Sequence, residues 1–246
     1  MTIFAQYKRE IQSLFVSPIV YVLLVATMIY NGFVFLLIVD FLASPGAPAG
    51  AAMQYMFGGT SFFYIIITAA CSFITMRLIA AEKSFGTLET LLTAPINETQ
   101  VVVAKYAAAL SFYLILWLPT LAYPLILSRY SEIDFGPLAS GYLGTLGIGM
   151  MFLAIGLLSS AVSKNQIVAA LLSFAGNMVL LLLGVFAFLQ SNSSSESLLG
   201  YLNLWDHMDA FSRGIVDTRY LVYYASTTLF VLFCTVQVLQ FRRWKS

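Results

Sequence analysis

Charge is placed along this chain in a way that decides its fold class. Six stretches contain no Asp, Glu, Lys, Arg or His: residues 11–39, 41–76, 106–128, 135–163, 165–195 and 220–241. Each is at least 22 residues long, and an apolar helix needs roughly 20 residues to cross a bilayer. The runs are far too long for barrel strands, so helices are the reading. Of the 246 residues only 9% are charged, against about 25% in a soluble domain that must cover itself with charge. Lipid must therefore replace much of the water. The sequence predicts an all-α polytopic membrane protein, one transmembrane domain over residues 1–246, with six transmembrane helices. The expected spans are about 19–41, 57–80, 104–128, 138–162, 167–189 and 220–241. Residues 42–56, with the run ASPGAPAGAA, read as a connector. This leaves no room for a separate catalytic domain, and a net charge of +1 points to no nucleic-acid partner.

Orientation follows from the basic residues. With the N-terminus in the cytoplasm, Lys8, Arg9, Arg77, Lys83, Lys105, Lys164, Arg242, Arg243 and Lys245 fall on that side, and Arg129, Arg213 and Arg219 on the other. Cytoplasmic loops favour Lys and Arg, so both termini are predicted to be cytoplasmic. Residues 1–17 are expected to form an amphipathic interfacial helix rather than a cleavable signal peptide. Ile3, Phe4, Tyr7, Ile11, Leu14 and Phe15 recur at helical spacing, Lys8, Arg9, Glu10 and Gln12 fall mostly opposite, and Ser17-Pro18 breaks the helix.

The spans lack the chemistry of a self-powered machine. Proton and ion coupling generally need ionisable groups at membrane depth, and the six cores have none. Asp40 sits at the outer end of the first span, and His207, the only histidine, reads as a solvated or interfacial residue of an outer loop. Neither a phosphate loop nor HExxH nor GxSxG occurs. Gly144, Gly147 and Gly149 are read as helix-packing residues, and Cys71 and Cys234 as small apolar packing residues. No cluster has metal-ligand spacing, so no metal site is expected.

The informative segment is the loop after the second span, centred on residues 82–96. Phe85, Leu88, Leu91 and Leu92 recur at spacings of three and four, the stripe of a short amphipathic helix. Ala94-Pro95 ends it, and Asn97 to Gln100 resembles a capping box opening the third span. Such a stripe either lies on the lipid surface or enters a groove of a cytosolic partner.

The run EKSFGTLETLLTAPINETQVVVAKY resembles the signature loop of ABC type-2 permeases, the membrane subunits of ATP-driven exporters. The matching positions are Glu82, Gly86, Thr87, Leu88, Glu89, Leu91, Leu92, Pro95 and Lys105. The opening KREIQSLFVSPIVYV and the outer segment WDHMDAFSRGIVDTRYLVYY with its later RRW resemble the GldF-like, gliding-motility type of that family. The resemblance implies an ABC type-2 permease fold in a bacterial inner membrane. It implies a non-catalytic chain that pairs with a second permease chain and a dimer of ABC ATPase subunits, with ATP and Mg bound on the ATPase. It also implies that Glu82, Phe85, Gly86, Thr87, Leu88, Glu89, Leu91, Leu92 and Pro95 form the ATPase-coupling interface. A large extracytoplasmic auxiliary protein of GldG type is a further implied partner.

In the outer loop 190–219, Leu202, Trp205, Met208, Phe211 and Ile215 recur at roughly helical spacing. Trp205, Met208 and Phe211 are candidates for an outer gate or a docking surface; a passive lid fits as well. Two functions compete with an ATP-driven permease: a membrane scaffold transmitting mechanical work to an extracytoplasmic partner, and a passive channel. A passive channel gives the 82–105 loop no role.

Overall fold

The computed structural model describes residues 3–44, 55–58, 60–86, 97–129, 134–189 and 200–243. The first helix, α1 (Ile3–Val16), ends at Ser17, whose backbone is extended (φ −78°, ψ 125°), and α2 (Pro18–Ala43) starts at once with Pro18 in its first turn. Proline suits that place because its missing N–H would have had no intrahelical partner. α3 (Ser61–Thr75) is followed by a turn over 76–79 and the short α4 (Ala80–Ser84). α5 (Glu98–Trp117) passes through a 3-10 turn (Leu118–Leu121) into α6 (Ala122–Leu127). Pro119 and Pro124 each remove a ladder donor, which accounts for the tightened turn there. The chain continues through α7 (Phe135–Val162), α8 (Gln166–Leu189), a 3-10 turn (Gly200–Leu202), α9 (Leu204–Ser212) and α10 (Thr218–Arg243).

Among the described residues five segments are long and apolar enough to cross a membrane: Pro18–Ala43, Glu98–Leu127, Phe135–Val162, Gln166–Phe186 and Thr218–Phe241. They match five of the predicted spans. The predicted second span, 57–80, holds only the 15-residue α3. The helix stops early because the turn at 76–79 is caught by α7: Ser160 Oγ accepts from the backbone N–H of Ile79 and Ala80 and donates to the Met76 carbonyl. Arg77, which closes the charge-free stretch 41–76, is the local sequence signal nearest that stop.

α7 is the centre of the bundle, packed against α3, α5, α8, α9 and α10. Its glycines make this possible. A Cβ on Gly144 would lie 2.7 Å from the Phe211 ring and 2.9 Å from Met208 Sδ, and Cβ atoms on Gly141, Gly147 and Gly149 would strike Phe57, Tyr224 and Tyr113. Large aromatic side chains from neighbouring segments thus fill notches that any side chain would close. Lipid tails are as apolar as a protein core, so dispersion and fit, not hydrophobicity, hold such helices together. The outer helices show the converse: Val22, Ile29, Phe33 and Leu36 of α2, Leu171, Leu182 and Phe186 of α8, and Leu229, Phe230 and Phe233 of α10 are exposed. In water these would be a liability; against acyl chains they are at home.

Two expectations about single residues are corrected. His207 is fully buried rather than solvated, because α9 folds inward onto α7. Asn97 does occupy the N-cap position of α5, but its side chain makes no capping bond; its carbonyl accepts from the N–H of Gln100 and Val101.

Candidate functional site: a charge knot at the root of the 82–96 loop

The sequence pattern of α1 puts Glu10 on its polar face. Instead Gln6, Glu10 and Leu14, spaced four apart, form its buried stripe, with Tyr7, Ile11 and Phe15 half-buried beside them. The reason is a partner 95 residues away. Lys105 of α5 is fully buried, and a buried ammonium needs anionic and hydrogen-bonding partners. Its Nζ lies 2.9 Å from Glu10 Oε1, 2.9 Å from Glu82 Oε1 and 2.6 Å from the Leu78 carbonyl oxygen. These three acceptors match the three donors of an ammonium group. Arg9 adds contacts of 3.0 Å to Glu82 and 3.1 Å to Glu10, and Gln6 Nε2 donates to Glu10 at 2.9 Å. Two acids and two bases cancel in charge while crossing three elements: α1, α4 and α5. Packing reinforces the tie, since the Tyr7 hydroxyl meets Ser111 Oγ at 2.9 Å and Phe15 meets Phe112 edge-on.

Glu82 therefore has its carboxylate engaged within the chain. Burial pushes its pKa above the ordinary carboxylate range, and Lys105 opposes that shift. Its neighbour Lys83 donates to the carbonyls of Ala161 and Ser163 at the C-terminus of α7, where unpaired carbonyls and the helix dipole favour a cation. With Ser160 holding the 76–79 turn, the root of the loop is tied to α1, α5 and α7 together. Arg77 also donates to Ser17 Oγ at the α1–α2 break.

Beyond this root the chain emerges. Gly86 has φ +70° and its N–H bonds to the Lys83 carbonyl, which ends α4; L side chains rarely adopt that backbone conformation. Phe85 stands three-quarters exposed beside it. Thr87, Leu88, Glu89, Leu91, Leu92 and Pro95 lie outside the described residues. Of the predicted interface, then, Glu82 sits in the knot, and Phe85 and Gly86 sit at the surface.

The outer candidates lie elsewhere. Met208 and Phe211 are fully buried in the notch at Gly144. The Trp205 ring is 4.0 Å from that of Tyr64, and its indole N–H donates to the Leu181 carbonyl. Asn203 caps α9 by accepting from the Trp205 N–H. Met208 and Phe211 thus serve the packing of α9 on α7 and present no surface to a partner.

Sequence reasoning missed Gln6, Arg9, Glu10 and Ser160, and it weighed Lys105 only as a matching position. One signal was present: Lys105 interrupts the apolar run VVVAKYAAAL, where a lone cation requires a buried partner.

Among the described residues no group of His, Cys, Asp and Glu is arranged to hold a metal ion. No curated protein matches the chain. The family described as ABC-2 family transporter protein matches residues 8–184, well over half of the chain and inclusive of the whole knot apart from Gln6. A membrane bundle with this loop and this match belongs to the ABC-2 family of transporter proteins.

Proposed function

We propose that this chain is the permease subunit of an ATP-binding-cassette transporter and that an ATPase on a separate chain drives it through the loop 82–96. The observation that carries this reading is the anchoring of the loop's root to α1, α5 and α7. A segment pushed from below moves the bundle only if its base is stiff, and the knot supplies that stiffness. Phe85, exposed at the exit of the root, is the first apolar residue of the stripe that would enter a groove on the ATPase. The chain itself carries no catalytic role in this scheme; ATP and Mg act on the partner.

The reading includes six crossings with both termini in the cytoplasm, supported by the asymmetry of Lys and Arg. α3 is about 22 Å long at 1.5 Å per residue, short of a ~30 Å hydrocarbon core. The preceding Phe57 and the following turn extend this crossing at its two ends. α1 is assigned to the cytoplasmic interface. A second permease chain and an ATPase dimer complete the complex in a bacterial inner membrane. The GldF-like resemblance points to mechanical work on an extracytoplasmic partner as the alternative output. It uses the same loop and differs only in what is moved.

The test replaces Phe85 and Leu88 with Asp, then measures co-purification of the ATPase and transport-coupled ATP hydrolysis. The expected result is loss of both with the permease still folded. Unchanged association and coupling would overturn the reading.

A further inference from the structure

α3 and α8 meet along a polar seam in the middle of the bundle. Ser173 Oγ of α8 donates to Ser72 Oγ of α3 at 3.0 Å, and Ser72 Oγ in turn donates to the Thr68 carbonyl at 2.8 Å. One turn toward α4, Met76 packs with Ala169. The pairs 72/173 and 76/169 run in opposite directions along the two helices, so the helices are antiparallel. The positions one turn the other way, Thr68 and Asn177, therefore stand at the same level on facing sides.

Both side chains are fully buried. Thr68 Oγ1 and both polar atoms of Asn177, Oδ1 and Nδ2, have no hydrogen-bond partner among the described residues. An Asn amide offers two donors and one carbonyl acceptor. Leaving all of them bare inside a bilayer is costly, because no lipid tail can satisfy them. The seam's members, Thr68, Ser72, Ser173 and Asn177, are all uncharged and so offer no counter-charge to an ion, and the atoms nearest a Cβ on neighbouring Gly156 belong to Thr75 and Ser173. A neutral molecule small enough for a helix interface, able both to donate and to accept, fits these atoms. Buried waters do this, typically with about three hydrogen bonds each.

We propose that water occupies the α3–α8 seam and bridges Thr68 to Asn177. The inference stands apart from the proposed ATPase coupling.

The test is a double-mutant cycle on the full-length chain in nanodiscs, with Thr68→Val and Asn177→Leu, read as thermal stability. A bridge predicts that each single variant lowers Tm by a few degrees and that the double variant loses little more than the worse single one. Additive effects, or a Tm raised by Asn177→Leu, would overturn it. Direct Thr68–Asn177 bonding would also be non-additive, so X-ray radiolytic labelling is the second arm. Water in the seam predicts hydroxyl labelling of the 62–76 peptide, which holds Cys71, above that of buried Met151, and loss of the excess in Asn177→Leu. Labelling no higher than at Met151 would refute the site.

Discussion

Lys105 is the residue on which the root of the 82–96 loop converges. Replacing it with Met removes the only fully buried charge of the knot and leaves Glu10 and Glu82 facing each other with Arg9 alone to balance them. Breaking a buried pair by removing one partner typically costs about 3–5 kcal/mol. Lys105→Met should therefore lower thermal stability by about that amount, measured by unfolding in detergent. Part of the loss should return at lower pH, where Glu82, already biased toward its neutral form by burial, takes up a proton. A Lys105→Met variant as stable as the parent at every pH would show that the knot is incidental. His207 offers a second test. Its ring is stacked on Tyr220 with centroids 3.9 Å apart, and Nδ1 meets the Tyr224 hydroxyl at 3.2 Å. Burial lowers its pKa to about 4 from an ordinary 6.5. The unfolded chain then binds a proton below pH 6.5 that the folded chain refuses until about pH 4. Stability from this group is thus complete above pH 6.5 and falls with pH down to about 4, where it levels off. A His207→Phe variant should lose that component of the acid dependence; an unchanged profile would count against the burial of a neutral ring.

At the scale of elements, α9 and α7 are joined by shape. Gly144→Leu would force Met208 and Phe211 out of their notch, and overpacking of this kind costs about 1–3 kcal/mol. The expected outcome is a lowered melting temperature together with new reactivity of a Cys introduced at Met208 toward an impermeant thiol reagent. Retained protection would mean that α9 is held by other contacts. The same pair shows where sequence reading stops. The helices α2, α5, α7, α8 and α10 were legible because charge exclusion over more than 20 residues is a property of the segment itself. So was the break at Ser17-Pro18, which is local backbone chemistry. The length of α3, the burial of His207 and the inward turn of Glu10 depend on Ser160, on the α7 glycines and on Lys105, each far away in sequence. A pattern read along one helix sees which residues share a face; it does not see what that face meets. A carboxylate usually seeks water, and at Glu10 a distant ammonium, that of Lys105, reverses the preference.

At the scale of the whole molecule, the charges and the apolar surface divide the labour. Large apolar side chains on α2, α8 and α10 face outward, while the ion pairs of Glu10, Glu82 and Lys105 and the hydrogen bonds of Lys83 gather where the loop departs. A permease of the ABC-2 family needs no charge of its own at membrane depth if energy enters at that loop. The most direct measurement is site-specific photocrosslinking in membranes that contain the complete transporter. A photoreactive residue at position 85 should form an ATP-sensitive adduct with the ATPase subunit, and one at Ile215, exposed beyond α9, should not. Absence of the adduct at 85, or an ATPase adduct at 215, would contradict the account.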